Sequence, residues 1–140
     1  MWRSVYFASV IVAFGCSQDG PKRVSVKGRV TLDGQPLANV SVHFKPVNHT
    51  PGNGSLGPTD ADGNFTLLDV RGISGAIPGE YRVYFHRFDS APAPKPDLLP
   101  RSFTDAVNSP LRATVPDASC TVEIPLTKDG KPPKIAVVGS

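Results

Sequence analysis

Apolar and polar side chains alternate with a period of two through segment after segment of this chain, and no segment carries the helical spacing of an amphipathic helix. Val24, Val26, Gly28, Val30 and Leu32 share one phase, against Ser25, Lys27, Arg29 and Thr31. Val40, Val42 and Phe44 repeat the pattern, as do Phe65 with Leu67, and Tyr81, Val83 and Phe85. Leu111, Ala113 and Val115 follow, then Cys120, Val122, Ile124 and Leu126. Successive side chains of a strand point to opposite faces, so each segment buries one face and wets the other. Two such sheets stacked face to face satisfy the burial requirement. The expectation is an all-β fold, an antiparallel β-sandwich of about seven strands.

The punctuation agrees. The chain holds 13 glycines and 15 prolines, and these residues mark turns. Asp33-Gly34 and Asp62-Gly63 read as tight turns in which glycine takes positive φ. Residues 46–59 and 69–79 read as loops on their Gly and Pro content. The stretch from Asp89 to Pro110 shows no clear period and has five prolines between Pro92 and Pro110. Pro125 cannot donate a ladder hydrogen bond, which places it outward on an edge strand. Cys120 lies in phase with the buried positions and reads as a small core residue.

Residues 1–15 have a different character. Arg3 supplies a positive flank, Val5 to Phe14 an apolar run, and Gly15 precedes Cys16. This is the layout of a cleaved export signal, and a run this short does not span a bilayer. A cysteine at the cut is the mark of a bacterial lipoprotein signal. Cys16 is therefore the expected lipidation site, and two acyl chains give a lasting anchor. Ala13 replaces the usual leucine and Phe14 is bulky, so a plain cleaved signal is the rival. Either way the chain is expected outside the cytoplasm, anchored at an outer membrane or cell envelope in the lipidated case. Residues 16–23 read as a tether, 24–126 as the sandwich and 127–140 as a flexible tail, with Ile135-Ala136-Val137-Val138 left either as an added strand or as disorder, the latter favoured. A Cys16–Cys120 disulfide is the alternative use of the two cysteines.

Removing residues 1–15 from the 140 leaves 125, enough for one domain. Without Arg3 the balance is 14 basic against 12 acidic residues, too mild for a nucleic-acid footprint. Asp60-Ala61-Asp62-Gly63-Asn64 has the acidic spacing that opens a calcium loop, but Phe65 and Arg71 stand where such a loop needs Gly and Glu. A turn is the better reading. His43, His49 and His86 lie on two strands and a loop with no close-spaced pair, and His43 and His86 are in outward phase. Four Asn-x-Ser/Thr sequons, at Asn39, Asn48, Asn53 and Asn64, would be glycan sites in a eukaryote and are compositional chance in a bacterium. No Gly-x-Ser-x-Gly elbow occurs. No catalytic, metal or cofactor residues are assigned, and the chain is not expected to be an enzyme.

Three stretches, taken together, resemble a known family. They are Gly28-Arg29-Val30-Thr31-Leu32-Asp33-Gly34-Gln35-Pro36-Leu37-Ala38-Asn39-Val40-Ser41-Val42, then Thr59-Asp60-Ala61-Asp62-Gly63-Asn64-Phe65-Thr66-Leu67, then Pro78-Gly79-Glu80-Tyr81-Arg82-Val83. Their order and spacing resemble the carboxypeptidase regulatory-like domain, a transthyretin-like (prealbumin-like) sandwich of seven strands. With the lipoprotein signal, and with Pro100-Arg101-Ser102-Phe103-Thr104-Asp105 leading into Ser109-Pro110-Leu111, the whole is similar to small lipoproteins of planctomycete bacteria. The resemblance implies a fold and a location and carries no catalytic residues across. Enzymes of transthyretin shape have signatures this chain lacks: it ends Val137-Val138-Gly139-Ser140, without the Tyr-Arg of the hydroxyisourate hydrolases.

The functional expectation is a membrane-tethered, non-catalytic binding or structural module at the envelope. Its partner would be an envelope protein or a polysaccharide, met through loops 46–58 and 89–110. Tyr84, His86 and Phe88 form the candidate contact patch. The alternatives are a small metal-dependent or hydrolytic enzyme on the same scaffold, and a self-assembling envelope subunit that uses an exposed strand edge.

Overall fold

The computed structural model describes residues 22–87 and 99–139. Residues 1–21, with Cys16 and the whole expected signal, lie outside the described residues, as do 88–98 with Phe88.

The strands are β1 (Val26–Leu32), β2 (Gln35–Pro36), β3 (Val40–Pro46), β4 (Ser55–Pro58), β5 (Asn64–Thr66), β6 (Leu68–Asp69), β7 (Gly79–Arg87), β8 (Leu111–Val115), β9 (Cys120–Leu126) and β10 (Ala136–Gly139), with a 3-10 turn at Arg101–Phe103. They form two sheets. In the first, the order is β10-β9-β1-β2, with β5 also on β1; in the second it is β6-β4-β3-β7-β8. The inward residues of both sheets meet in one core, whose largest members include Tyr81, Phe44, Phe85, Phe103 and Leu67. Every apolar position of the period-two segments is buried. The all-β sandwich follows from that alternation.

Asp33 (φ 49°) and Gly34 (φ 82°) both have positive φ, the requirement of a two-residue hairpin turn. They return the chain from β1 to β2, after which it crosses to the other sheet at β3. Gly28 is inward on β1, and a Cβ there would collide with the Phe65 ring and the Val122 carbonyl. Only glycine lets β1 pass between its neighbours on β5 and β9.

Four sequence expectations are corrected. The sandwich is mixed rather than wholly antiparallel, because β1 and β9 pair in parallel from Val26↔Cys120 to Leu32↔Leu126. Alternation reports which residues face inward, not strand direction. Residues 55–58, expected as loop, form β4 on the edge of β3; Gly57 and Pro58 hid the strand, and Gly57 is needed where the Thr66 carbonyl approaches closely. The tail is ordered where disorder was favoured, for Ala136–Gly139 pair antiparallel with Glu123–Cys120 of β9 and Val137 packs against the core. Pro125 is consequently not on an edge strand. Cys120 N–H donates to the Ser25 carbonyl at 3.0 Å, so alternate backbone groups of β9 face β1 and the odd ones face β10. Pro125 is odd and lies past Ala136, where β10 has ended. Its missing N–H therefore faces no strand.

Several aspartates close turns with their own backbones. Asp60 Oδ1 accepts from Asp62 N–H and Asn64 N–H, both at 2.9 Å, so the 60–64 segment is a turn as expected. Asp105 Oδ1 accepts from Val107 N–H and Asn108 N–H. Asp69 Oδ1 accepts from Arg71 N–H and Ile73 N–H. The Asp69 side chain is 3% exposed, and its Oδ2 meets Arg23 at 3.1 Å and Arg71 at 2.9 Å. This carboxylate ties the entering chain to the turn after β6.

Candidate functional site

The outer face of the second sheet collects the residues that alternation turns to solvent on β3 and β7. The two strands pair antiparallel, with Ser41↔His86, His43↔Tyr84 and Lys45↔Arg82 in register. His43 and Tyr84 stack with ring centroids 4.7 Å apart and planes inclined by 16°. His86 meets His43 edge-on at 6.4 Å and 87°. Tyr84 and His43 are half-buried and His86 is exposed. The structure therefore brings Tyr84 and His86 of the expected patch together and adds His43. Sequence phase placed both histidines outward, but only the pairing of β3 with β7 makes them neighbours. His49 sits outside this cluster, in the loop after β3, in the left-handed region at φ 64°.

A cleft of about 320 Å³ opens beside the stacked rings, lined by His43, Lys45, Asn53, Leu56, Tyr84 and Ala106 among others. That lies at the small end of ligand sites. Burial, and then the charge of neighbouring His86, pushes the His43 pKa below its ordinary value. The shift favours the neutral ring, which suits stacking. Ser41, one step along β3, is 3% exposed, and its Oγ makes no hydrogen bond.

A larger cleft, about 610 Å³, runs over the outer face of the first sheet and is lined by Lys27, Arg29, Asp60, Asn64, Thr66 and Glu123 with their neighbours. Arg29 stands opposite Glu123 in register and donates from Nε to the Asp62 carbonyl at 3.3 Å.

Cys120 is a free thiol, 2% exposed, and burial raises its pKa. A buried thiol of raised pKa is chemically quiet, in keeping with a core role. Among the described residues, no group of three or more His, Cys, Asp or Glu side chains is placed to hold a metal ion. No helix among them is long and apolar enough to cross a membrane.

The fold defines the chain as a two-sheet β-sandwich with an aromatic and histidine patch on one outer face. No family model matches it, and neither a curated protein nor a solved structure does.

Proposed function

We propose that the chain is a non-catalytic binding or structural module of the cell envelope, held outside the cytoplasm through an acylated Cys16. In this reading the sandwich is a carboxypeptidase regulatory-like, transthyretin-like domain. The Met1–Cys16 layout supports the address, and the order of the three turn motifs supports the family. The observation that carries the binding role is the Tyr84–His43 stack with His86 beside it. The stacked pair stands half-buried beside a cleft, on a sheet that fixes both rings. Aromatic groups fixed on a scaffold supply contact area with little entropy left to lose.

The address is tested by feeding cells an alkyne-tagged fatty acid. Wild type incorporates label and Cys16→Ser does not; equal labelling, or none in either, refutes the anchor. The binding role is tested by capture from envelope extract, comparing wild type with Tyr84→Ala/His86→Ala. A partner retained equally by both removes the patch from the proposal.

A second reading, self-assembly, is favoured by one feature. β10 ends the first sheet, and Val138 on it is 59% exposed. An open edge of this kind accepts another strand. Light scattering of the purified protein decides it: a strict monomer at high concentration rules assembly out.

A further inference from the structure

Directly beside the stacked rings, the second sheet places three cations in line. Lys45 on β3 pairs with Arg82 on β7, and Arg82 pairs with Arg112 on β8. All three side chains leave the outer face, since their neighbours Phe44, Val83 and Leu111 are buried inward. Neighbouring strands lie about 4.8 Å apart, so the row spans roughly 10 Å. Like charges directly opposite one another destabilise a sheet, and here two such pairs occur in succession. Among the described residues, none of the three stands within ion-pair distance of a carboxylate. Lys45 and Arg112 are exposed, while Arg82 is half-buried with its Nε enclosed and unbonded.

Two carboxylates lie nearby, and neither forms an ion pair with the row. Asp105 offsets part of the Arg82 charge at a distance, while its oxygens accept from Val107 and Asn108. Glu80, the next outward position on β7, accepts a hydrogen bond from Asn48. The contrast with the first sheet is direct, for there Arg29 faces Glu123.

We infer that the Lys45–Arg82–Arg112 row and the adjoining Tyr84–His43 cleft bind an acidic polysaccharide, a chain of uronate-type sugars, across the outer face of the second sheet. The inference rests on the reading of the domain as an envelope binding module and names its ligand. A linear row of cations at strand spacing matches an extended polymer that repeats its charge, and a single small anion can bridge only one pair. The cleft shares Lys45 with the row and holds both rings. It receives one sugar ring against Tyr84 while carboxylates of the flanking sugars meet the cations. Arginine provides planar, two-pronged donation to carboxylate.

The test is calorimetric titration of the full-length chain in detergent with oligomers of polygalacturonate. Methyl-esterified polygalacturonate, polyglutamate and inorganic phosphate are run beside it. The free acid binds, the ester does not, and added salt weakens the complex. Lys45→Gln/Arg112→Gln weakens binding by roughly tenfold or more while the melting temperature stays level or rises, because repulsion is removed. That combination separates a binding role from a folding one. Tyr84→Ala weakens binding to the oligomer as well. Absent heat with polygalacturonate overturns the inference, as does an unchanged affinity in the double variant. Equal binding of phosphate reduces the site to a simple anion site, and tighter polyglutamate binding makes it an acidic-protein site; either overturns the polysaccharide. Mass analysis of Cys16 on the same sample keeps the two proposals apart, since acylated protein without polymer binding loses only this one.

Discussion

His43 lies nearly flat against Tyr84, ring centroids 4.7 Å apart, because the two residues are register partners on β3 and β7 and both point away from the core. Neither strand alone makes this pair. It arises when the Val42–Phe44 and Val83–Phe85 phases are locked inward by burial, which turns the intervening side chains outward at matched height. The stack in turn shelters His43, and burial then sets its titration.

Acid should weaken the fold through this residue. Burial, followed by the charge on His86, holds folded-state His43 below its ordinary pKa. The unfolded chain therefore binds the extra proton first as pH falls. His43's contribution is complete above about 6.5 and is lost as pH falls through that value toward the folded one. The melting temperature should decline more steeply in wild type than in His43→Gln between about pH 7 and 5. Parallel curves would remove the burial argument.

Gly28→Ala should destabilise strongly for a substitution of one methyl group. The added carbon meets the Phe65 ring on one side and the Val122 carbonyl on the other. The backbone carbonyl cannot rotate away without breaking the parallel β1–β9 ladder. Overpacking of this kind costs about 1–3 kcal/mol. Denaturant titration measures it, with Gly34→Ala as a contrast: that position has open space around it and strain only from its φ of 82°.

Asp69 should control a second acid transition. Burial by itself raises its pKa, but the N–H groups of Ile73 and Arg71 and the Arg71 guanidinium outweigh it and hold the carboxyl below the ordinary aspartate value. The stabilisation is present above an unfolded value of about 3.9 and disappears as pH falls below it. Asp69→Asn should lower the melting temperature at neutral pH and flatten its dependence at low pH. It should also loosen the chain's entry, where Arg23 holds Asp69 and Val24 N–H bonds the Ala76 carbonyl. Faster amide exchange at Val24 in the variant is the local readout.

The inward set of this sandwich was legible because burial is one-sided, and one-sided burial leaves a period-two trace. Val26, Val42, Val83 and Ile124 are all fully buried as that trace requires. Strand direction leaves no such trace, so the parallel joining of β1 to β9 was not legible. β4 was hidden because Ser55-Leu56-Gly57-Pro58 contains two turn-forming residues, and Gly57 is a strand residue where the Thr66 carbonyl comes close. β10 is short and mostly exposed, and its order comes from docking on β9, a contact remote in sequence. The site behaved similarly. Outward phase marked Tyr84, His43 and His86 individually, while the cation row required knowing that Lys45, Arg82 and Arg112 share one register line.

Two buried serines should respond in opposite ways to removal of a hydroxyl. Ser109 Oγ donates to the Val83 carbonyl at 2.6 Å and accepts from Leu111 N–H at 3.3 Å, which anchors the start of β8 to β7. Ser41 Oγ is equally buried and bonds nothing. A buried hydroxyl without a partner carries its desolvation cost uncompensated, whereas deleting a bonded one strands its partners. Ser109→Ala should lose about 1–3 kcal/mol, and Ser41→Ala should be neutral or gain up to about 1 kcal/mol. Chemical denaturation of the two single variants and their double settles the matter. Equal losses at both positions would show that Ser41 has a partner after all, and that the face beneath His86 is bonded more tightly than the geometry allows.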